Sequence, residues 1–327
     1  MPTPYLETSK VQAILEIARL APSVHNTQPW LVRISGQDLV VSINPAHALT
    51  DGDPTGRETM ISLGIFTEAI DIGARAQGLK IAAVNLKNKE VIMSMEPVAL
   101  PDPKLEAAQL LRRRHSDRSI YKPVAITPVT IALVEQASSE GISVQVVTDR
   151  VFIKKAADLT AKGIRLALSS PSFRKELRQY LLPSWSHRKR GISLKSLYLP
   201  RILSLWQPMM LGLGIGLGAE ANLEKKRWES ASGIIVICGD GDLERYWLEA
   251  GRSYLRASLA AEKAGLSQAT SAALVEASNY HEDIEVLLQT NKRILAMIRI
   301  GAGSPKKVFS PRIEVADMLT LTSQTSE

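Results

Sequence analysis

The sequence predicts an α+β protein assembled from two halves, each combining long helices with short strands. Three observations point there. Apolar residues recur at helical spacing in some stretches and alternate in others, so both kinds of element are present. The window 61–79 matches 248–266 at a single offset of 187 residues, pairing Gly64 with Gly251, Ala74 with Ala261, Gly78 with Gly265 and Leu79 with Leu266. Each window closes on Gly-Leu, which is helix C-cap chemistry. Two amphipathic helices can share four such positions by chance, so the match alone does not establish a duplication. Finally, 327 residues with 45% hydrophobic content hold one large domain or two of ordinary size around a real core.

Taken in order, Val11, Ile14, Leu15, Ala18 and Leu20 give a helix from Tyr5 to Leu20. A loop rich in Ser, Asn and Gln follows. Leu31, Ile34, Leu39, Val41 and Ile43 read as a strand pair turning at Ser35-Gly36-Gln37-Asp38. A loop from Asn44 to Gly56 leads into a long helix from Arg57 to Gln77, whose small residues invite close approach of another helix. Strands follow near Lys80–Leu86 and Val91–Met95, and Pro97, Pro101 and Pro103 mark a linker. The second half opens on a short helix and Arg112-Arg113-Arg114-His115-Ser116-Asp117-Arg118, then a helix at Pro128–Ser138 and a strand at Ile142–Thr148. Helical segments run from Val151 to Leu182, and Pro183–Arg201 has the composition of an insertion. An apolar strand at Gly233–Cys238, a long helix at Leu243–Ala264, a helix at Tyr280–Leu288, a strand at Arg293–Ile300 and Ser310-Pro311-Arg312 complete the chain. The division expected is a first half over 1–103 and a second over 104–327, with the insertion at about 183–201.

The net charge of +7 is local. Residues 165–201 hold nine basic side chains and one acid, Glu176, so everything outside that segment is close to neutral and a basic nucleic-acid-binding domain is excluded. Cys238 is the lone cysteine, which fits a reducing compartment. The first residues lack a basic stretch followed by an apolar one, so no secretion signal is expected and the cytoplasm is the expected location. The uncharged run Ile202–Ala219 reaches membrane-spanning length, but Gln207, Pro208 and four glycines favour a buried helix running into a glycine-rich turn.

Two stretches carry candidate chemistry. In Ala21-Pro22-Ser23-Val24-His25-Asn26-Thr27-Gln28-Pro29-Trp30, the prolines stiffen the loop, Ser23, Asn26, Thr27 and Gln28 supply donors and acceptors, and Trp30 supplies an apolar face. Such a loop suits a flat hydrogen-bonding ligand; it equally suits an Asx or Ser/Thr turn after an ordinary C-cap. Arg114, Ser116 and Arg118 offer guanidinium forks and a hydroxyl for a phosphate, or else a solvated basic helix end. Other motifs are absent: Gly212, Gly214, Gly216 and Gly218 lack dinucleotide-binding spacing, and the five histidines lack metal-ligand spacing. Asp51-Gly52-Asp53 and Asp240-Gly241-Asp242 are turns before helices, and His25 is a lesser candidate for proton transfer.

The loop Ala21–Trp30 resembles the A-P-S-x-x-N-x-Q-P-W signature of nitroreductase-like flavoproteins. With Val-His before the Asn and Asp53-Pro54-Thr55-Gly56-Arg57-Glu58 downstream, it resembles their twin-domain, Acg-like branch. Arg114-x-Ser116-x-Arg118 is similar to the family's opening motif, and Ser310-Pro311-Arg312 to its closing one. The resemblance implies a nitroreductase-like fold, internally duplicated as a pseudo-dimer of mixed sheets flanked by helices. It implies FMN held in one composite site, with Ser23, Asn26 and Gln28 on one side and Arg114, Ser116, Arg118 and Arg312 on the other. Each half retains the motif that the other lacks.

The resemblance further implies NAD(P)H and a small-molecule nitro, quinone or similar acceptor as partners. Flavin N5 would carry the chemistry, so no catalytic side chain and no metal are needed. A monomeric pseudo-dimer or a homodimer satisfies the site. The basic, Trp-containing insertion is a lid in twin-domain relatives; a solvated loop and a contact with an anionic surface are its other readings. A lid that stayed closed would make the chain a flavin-storage protein instead of a reductase. His47 stands where the branch has Arg.

Overall fold

The computed structural model describes residues 6–98, 105–183, 185–198 and 201–320. Pro101, Pro103, Ser184 and Tyr5, the first residue of the expected opening helix, lie outside them. Among the described residues, helices are α1 (Thr8–Ala18), α2 (Arg57–Arg75), α3 (Leu105–Arg113), α4 (Pro128–Glu135), α5 (Arg150–Ser169), α6 (Pro171–Tyr180), α7 (Arg201–Gly212), α8 (Leu217–Glu229), α9 (Glu244–Lys263), α10 (Ala273–Glu276) and α11 (Tyr280–Leu287). Strands are β1 (Trp30–Ser35), β2 (Asp38–Ile43), β3 (Leu79–Lys87), β4 (Glu90–Pro97), β5 (Ile142–Val147), β6 (Leu181–Leu182), β7 (Ile192–Ser193), β8 (Gly233–Gly239), β9 (Ser267–Thr270), β10 (Arg293–Gly301) and β11 (Leu319–Thr320).

The two main sheets separate by sequence, with one exception. The first has the order β11-β1-β2-β4-β3 and is mixed: β11 runs parallel to β1, with Val32 opposite Leu319, and the other neighbours are antiparallel. The second has the order β5-β8-β10-β9 with antiparallel neighbours, and Ser116 adds one parallel bridge to Gln268. The chain's last strand therefore belongs to the first sheet. Strand β8 is buried throughout, because both of its faces are covered. Ile235 and Ile237 enter the main core, while Ile234, Val236 and Cys238 enter a second core under α5.

Helices α2 and α9 form the centre. Almost all of α2 is buried, polar residues included, as a helix enclosed on every side must be. Its Glu68 is answered by Arg252 at 3.2 Å and Arg256 at 3.0 Å from α9. The glycines matched at offset 187 meet at this crossing. A Cβ added to Gly64 would fall 1.9 Å from the Leu248 carbonyl oxygen, and one added to Gly251 would fall 2.1 Å from that of Ile61. Ile61 and Leu248 are themselves partners at the same offset. Such reciprocity is the geometry of a two-fold contact, made here within one chain. The matched Gly78 and Gly265 both take left-handed backbone, φ 72° and 75°, and close their helices as C-caps.

The run 202–219 departs from expectation. It divides into α7, a turn through left-handed Gly214 and Gly216, and the start of α8. Trp206, Met209, Leu213 and Ile215 are exposed, so this is not a buried helix. The insertion makes only a satellite core, of Leu168, Leu181, Leu194, Leu197 and Leu211, too small to enclose a helix on all sides. No helix among the described residues is long and apolar enough to cross a membrane.

Candidate functional site

The loop between α1 and β1 holds a single 3-10 turn, Val24–Asn26, and is conformationally costly. His25, Asn26 and Gln28 have φ of 46°, 56° and 49°, a left-handed region that non-glycine residues enter at roughly 1–3 kcal/mol each. Local bonds hold it there: the Gln28 amide donates to Ser23 Oγ at 2.9 Å, and the Val24 amide to Ser62 Oγ of α2 at 3.0 Å.

The amide side chains gather three distant segments. Asn26 Nδ2 donates to the carbonyls of Gly191 at 2.9 Å and Pro311 at 3.0 Å, and Asn26 Oδ1 accepts from Arg312 Nη1 at 2.7 Å. Gln28 Nε2 donates to the Lys189 carbonyl at 2.7 Å, and its Oε1 accepts from the Ile313 amide at 3.0 Å. Both side chains are engaged by protein groups and join the loop, the insertion and the closing motif. Trp30 is not a ligand platform: it is fully buried and stacks on Phe66 at 4.3 Å with 5° between the planes. Its place as the first residue of β1, on the core-facing side, decides this.

The arginines stand out because no carboxylate among the described residues forms an ion pair with Arg114, Arg118 or Arg312. Arg114 and Arg312 each keep a buried Nε with no hydrogen-bond partner. Neither has an ion-pair partner among the described residues. Burial, then Arg114, then Arg19 push the Arg312 guanidinium down to about 9. Burial likewise lowers Arg114, against the opposing influence of Tyr254 and Glu262. Arg118 is lowered by burial against Glu224, while Arg227 and Arg299 lower it further; its Nη1 reaches Ser196 Oγ at 3.3 Å. Two buried like charges, one of them lowering the other and each with an Nε donor unspent, suit an anion.

Ser116 and its neighbours are fixed from behind by residues that the sequence reading passed over. The Asp117 amide bonds the Gln268 carbonyl at 2.8 Å, and the Asp117 carboxylate accepts from the amides of Ser119 at 2.8 Å and Ser304 at 2.7 Å. A Cβ at Gly303 would collide with that carboxylate, so the chain needs glycine there. Arg299 is fully buried, lies 4.0 Å above the Tyr121 ring and donates to the Asp117 carbonyl at 3.1 Å and that of Ser119 at 3.0 Å. A lone arginine inside the apolar strand Ile294–Ile300 was the available signal.

The insertion is seated on the same loop. The Gly191 amide donates to the Asn26 carbonyl at 3.1 Å, and Arg190 Nε to that of Thr27 at 3.1 Å. Glu176 of α6 anchors the approach to it, accepting from the amides of Thr50 and Gly52, each at 2.7 Å. The His25 ring faces Phe173 and Tyr180 of α6 at 6.5 and 6.4 Å. Burial pushes that imidazole down to about 4, with Glu176 opposing and Arg118 adding to the effect. His47 is also lowered by burial and then by Arg190, which places it beside the insertion. Surface cavities of about 360 Å³ near Lys162 and about 560 Å³ near Glu16 do not touch these arginines.

No family model matches the chain. It is 25% identical over 146 residues to an NAD(P)H nitroreductase, so named, of Mycobacterium tuberculosis, covering 43% of this chain and 42% of that protein. It is 31% identical over 127 residues to the protein named NAD(P)H nitroreductase PigM of Serratia, covering 36% and 35%. The matched part thus spans less than half the length of these curated relatives. Among solved structures, an FMN-dependent nitroreductase of Mycobacterium smegmatis in complex with NADPH aligns with a TM-score of 0.42 at 19% identity, covering 69% of this chain and all of that one. An FMN- and NADPH-dependent nitroreductase of a Sphingopyxis strain aligns with a TM-score of 0.44 at 15% identity, covering 67% and 100%.

Proposed function

We propose that this chain is an FMN-binding oxidoreductase of the nitroreductase type, in the twin-domain Acg-like branch. It passes hydride from NAD(P)H to a nitro, quinone or similar acceptor. One observation carries the reading: Arg312, bonded to Asn26 of the loop that carries the nitroreductase-like signature, and Arg114, close enough to lower it, are both buried with unpartnered Nε donors and no ion-pair partner among the described residues. A phosphate is the anion that this pair fits, being bidentate for guanidinium and large enough for two. The names of the curated relatives agree with it.

In this reading Arg114 and Arg312 hold the phosphate end of FMN, with Ser116 and Arg118 beside them. Ser23, Asn26 and Gln28 shape the wall, Asn26 and Gln28 through the bonds that fasten loop to insertion and tail. Bound FMN supplies hydride transfer at N5, which no side chain here could provide. The insertion shields the site from water, and neutral His25 keeps a second positive charge away from Arg118. The halves 1–103 and 104–327 form an intramolecular pseudo-dimer, the cytoplasm is the location, and one chain or a homodimer completes the assembly.

The seating of the insertion supports a second reading. The bonds from 189–191 to the loop, with Glu176 fixed at 50–52, describe a cover that stays shut, as flavin storage requires. The visible spectrum of the purified protein, followed by NADPH without oxygen, decides between them. Rapid bleaching of bound flavin supports the reductase. A flavin spectrum that NADPH leaves unchanged supports storage. Failure to take up added FMN removes both.

A further inference from the structure

One face of α7 packs against nothing among the described residues. Trp206, Met209 and Leu213 are exposed at spacings of three and four, so they share one side of the helix. Trp206 and Leu213 show 55% and 65% of their surface. Leu213 lies one residue past the helix, and its amide still bonds the Met209 carbonyl at 3.0 Å, so the turn continues through it. Ile215, in the turn that follows, is exposed as well. Leu211 faces the other way, into the satellite core. The helix thus has an inner side that packs and an outer side, equally apolar, that does not. Large apolar side chains scattered singly over a surface need no explanation, but four of them exposed within 206–215 mark a contact surface.

The neighbouring charges on α6 are basic. A Cβ added to Gly212 would collide with the Arg178 guanidinium, and one added to Gly214 would fall 3.6 Å from Arg174 Nη2, so both arginines lie against the turn that ends α7. Lys175 and Arg178 are exposed, as are Arg188 and Lys195 further along the insertion, and none of the four forms an ion pair among the described residues. Acids are kept away. Glu176 is buried and bonds the amides of Thr50 and Gly52, and the sequence holds no further acid until Glu220. Glu220 and Glu224 are answered by Arg227 at 3.9 and 3.1 Å. An apolar stripe bordered by unpaired cations is the pattern of an element that lies in a lipid–water interface. Its apolar side chains enter the acyl boundary, its indole sits at headgroup level, and its basic side chains reach back to the phosphates.

We propose that the outer face of α7, with the basic side chains beside it, docks this protein on an anionic lipid surface. Charge complementarity selects that occupant. Residues 165–201 carry nine bases against one acid, so a second copy brought face to face would meet like charge. A nucleic acid answers the cations but offers Trp206, Met209, Leu213 and Ile215 no apolar medium to enter. An anionic bilayer supplies both, phosphates for the bases and acyl chains for the stripe. The proposal needs no cofactor and stands apart from the FMN reading.

Co-sedimentation of the full chain with vesicles tests it, using phosphatidylcholine alone and an equal mixture of phosphatidylcholine and phosphatidylglycerol. Binding to the mixed vesicles at low salt is expected, with a blue shift of tryptophan fluorescence and weakening as salt rises. No binding to the mixed vesicles overturns the proposal, and equal binding to the neutral ones overturns the part given to the bases. Trp206→Ser and Leu213→Ser change exposed side chains, so unfolding temperatures close to wild type are expected, and each should weaken vesicle binding about tenfold. Arg178→Gln should weaken it about fivefold. Wild-type binding in the two serine variants overturns the role of the apolar face. Light scattering after size exclusion reads the other occupant: a dimer that Leu213→Ser dissolves assigns the face to a second copy and overturns the proposal. Binding of a DNA duplex by a chain that ignores the mixed vesicles assigns the bases to nucleic acid and overturns it too.

Discussion

Replacing Arg312 with Met separates the cost of the arginine pair from its use. At neutral pH the folded protein carries a guanidinium held at about 9. The usual value lies above 12, and roughly 3 units of difference amount to at most about 4 kcal/mol against folding. Against this, Arg312 donates to Asn26 Oδ1 at 2.7 Å, to the Leu20 carbonyl at 3.1 Å and to the adjoining Pro311 carbonyl at 3.2 Å. Losing three hydrogen bonds of a charged donor, taken near the low end of about 1.5 kcal/mol each, costs about 4.5 kcal/mol. The terms nearly cancel, so Arg312→Met is expected to leave the cofactor-free stability within about 2 kcal/mol of wild type. FMN binding has no such compensation: loss of a buried charge pair with phosphate removes about 2–5 kcal/mol, or roughly 30-fold to several thousand-fold in Kd. Thermal unfolding with and without FMN, beside a fluorescence titration, reads both. The charge penalty is complete below pH 9 and fades as pH rises through it, because the folded state releases the proton first. The stability gap between wild type and variant must therefore change above pH 9. A variant that binds FMN within threefold of wild type refutes the phosphate site. Apo destabilisation beyond about 4 kcal/mol refutes the balance of terms.

His25 is neutral when folded down to about pH 4, against an ordinary 6.5. Its contribution is therefore intact above 6.5 and lost as pH falls toward 4, by about 3 kcal/mol, and His25→Gln should flatten that part of an acid-unfolding series. Gly64→Ala places a carbon 1.9 Å from the Leu248 carbonyl oxygen and should cost roughly 3 kcal/mol in chemical denaturation, as should Gly251→Ala, while Gly218→Ala, with nothing within 4 Å, should gain about 0.5–1 kcal/mol. Glu176→Gln weakens the anchor at Thr50 and Gly52 and should speed hydrogen exchange across 186–198 about tenfold or more. If NADPH bleaches the flavin faster in that variant, the insertion gates access; unchanged exchange and unchanged bleaching would show that the segment gates nothing.

The elements that sequence periodicity reveals are those whose pattern is long. Helices α2 and α9 and strand β8 appear close to where apolar spacing and glycine caps place them. The short pieces escape it. Strand β11 has two residues and exists because Val32 offers an edge to Leu319, a partner that no local pattern announces. Helix α8 escaped because the apolar run ahead of it masked its start at left-handed Gly216. Exposure of α7 was unreadable for a related reason: hydrophobic composition says what a helix could bury, not whether the fold supplies a surface to bury it against.

The site shows the same division more sharply. Residue type offered Arg114 and Arg118 as anion-binding material, with a solvated helix end as the alternative, while Arg312 and any role of the loop Ala21–Trp30 beyond a turn came from the family resemblance. Which polar groups would be spent on each other could not be read, because that depends on contacts across as many as 286 residues between Asn26 and Arg312 and 292 between Leu20 and Arg312. The amides expected to meet a ligand are consumed in fastening the loop, whereas the Nε atoms of Arg114 and Arg312, like those of Arg174 and Arg299, are left without a partner. Arg299, just as buried, also keeps an unpartnered Nε, but its other donors go to three carbonyls and it covers an aromatic ring. Arg114 and Arg312 are buried like charges close enough for the first to lower the second, which is a cost without return unless an anion completes them.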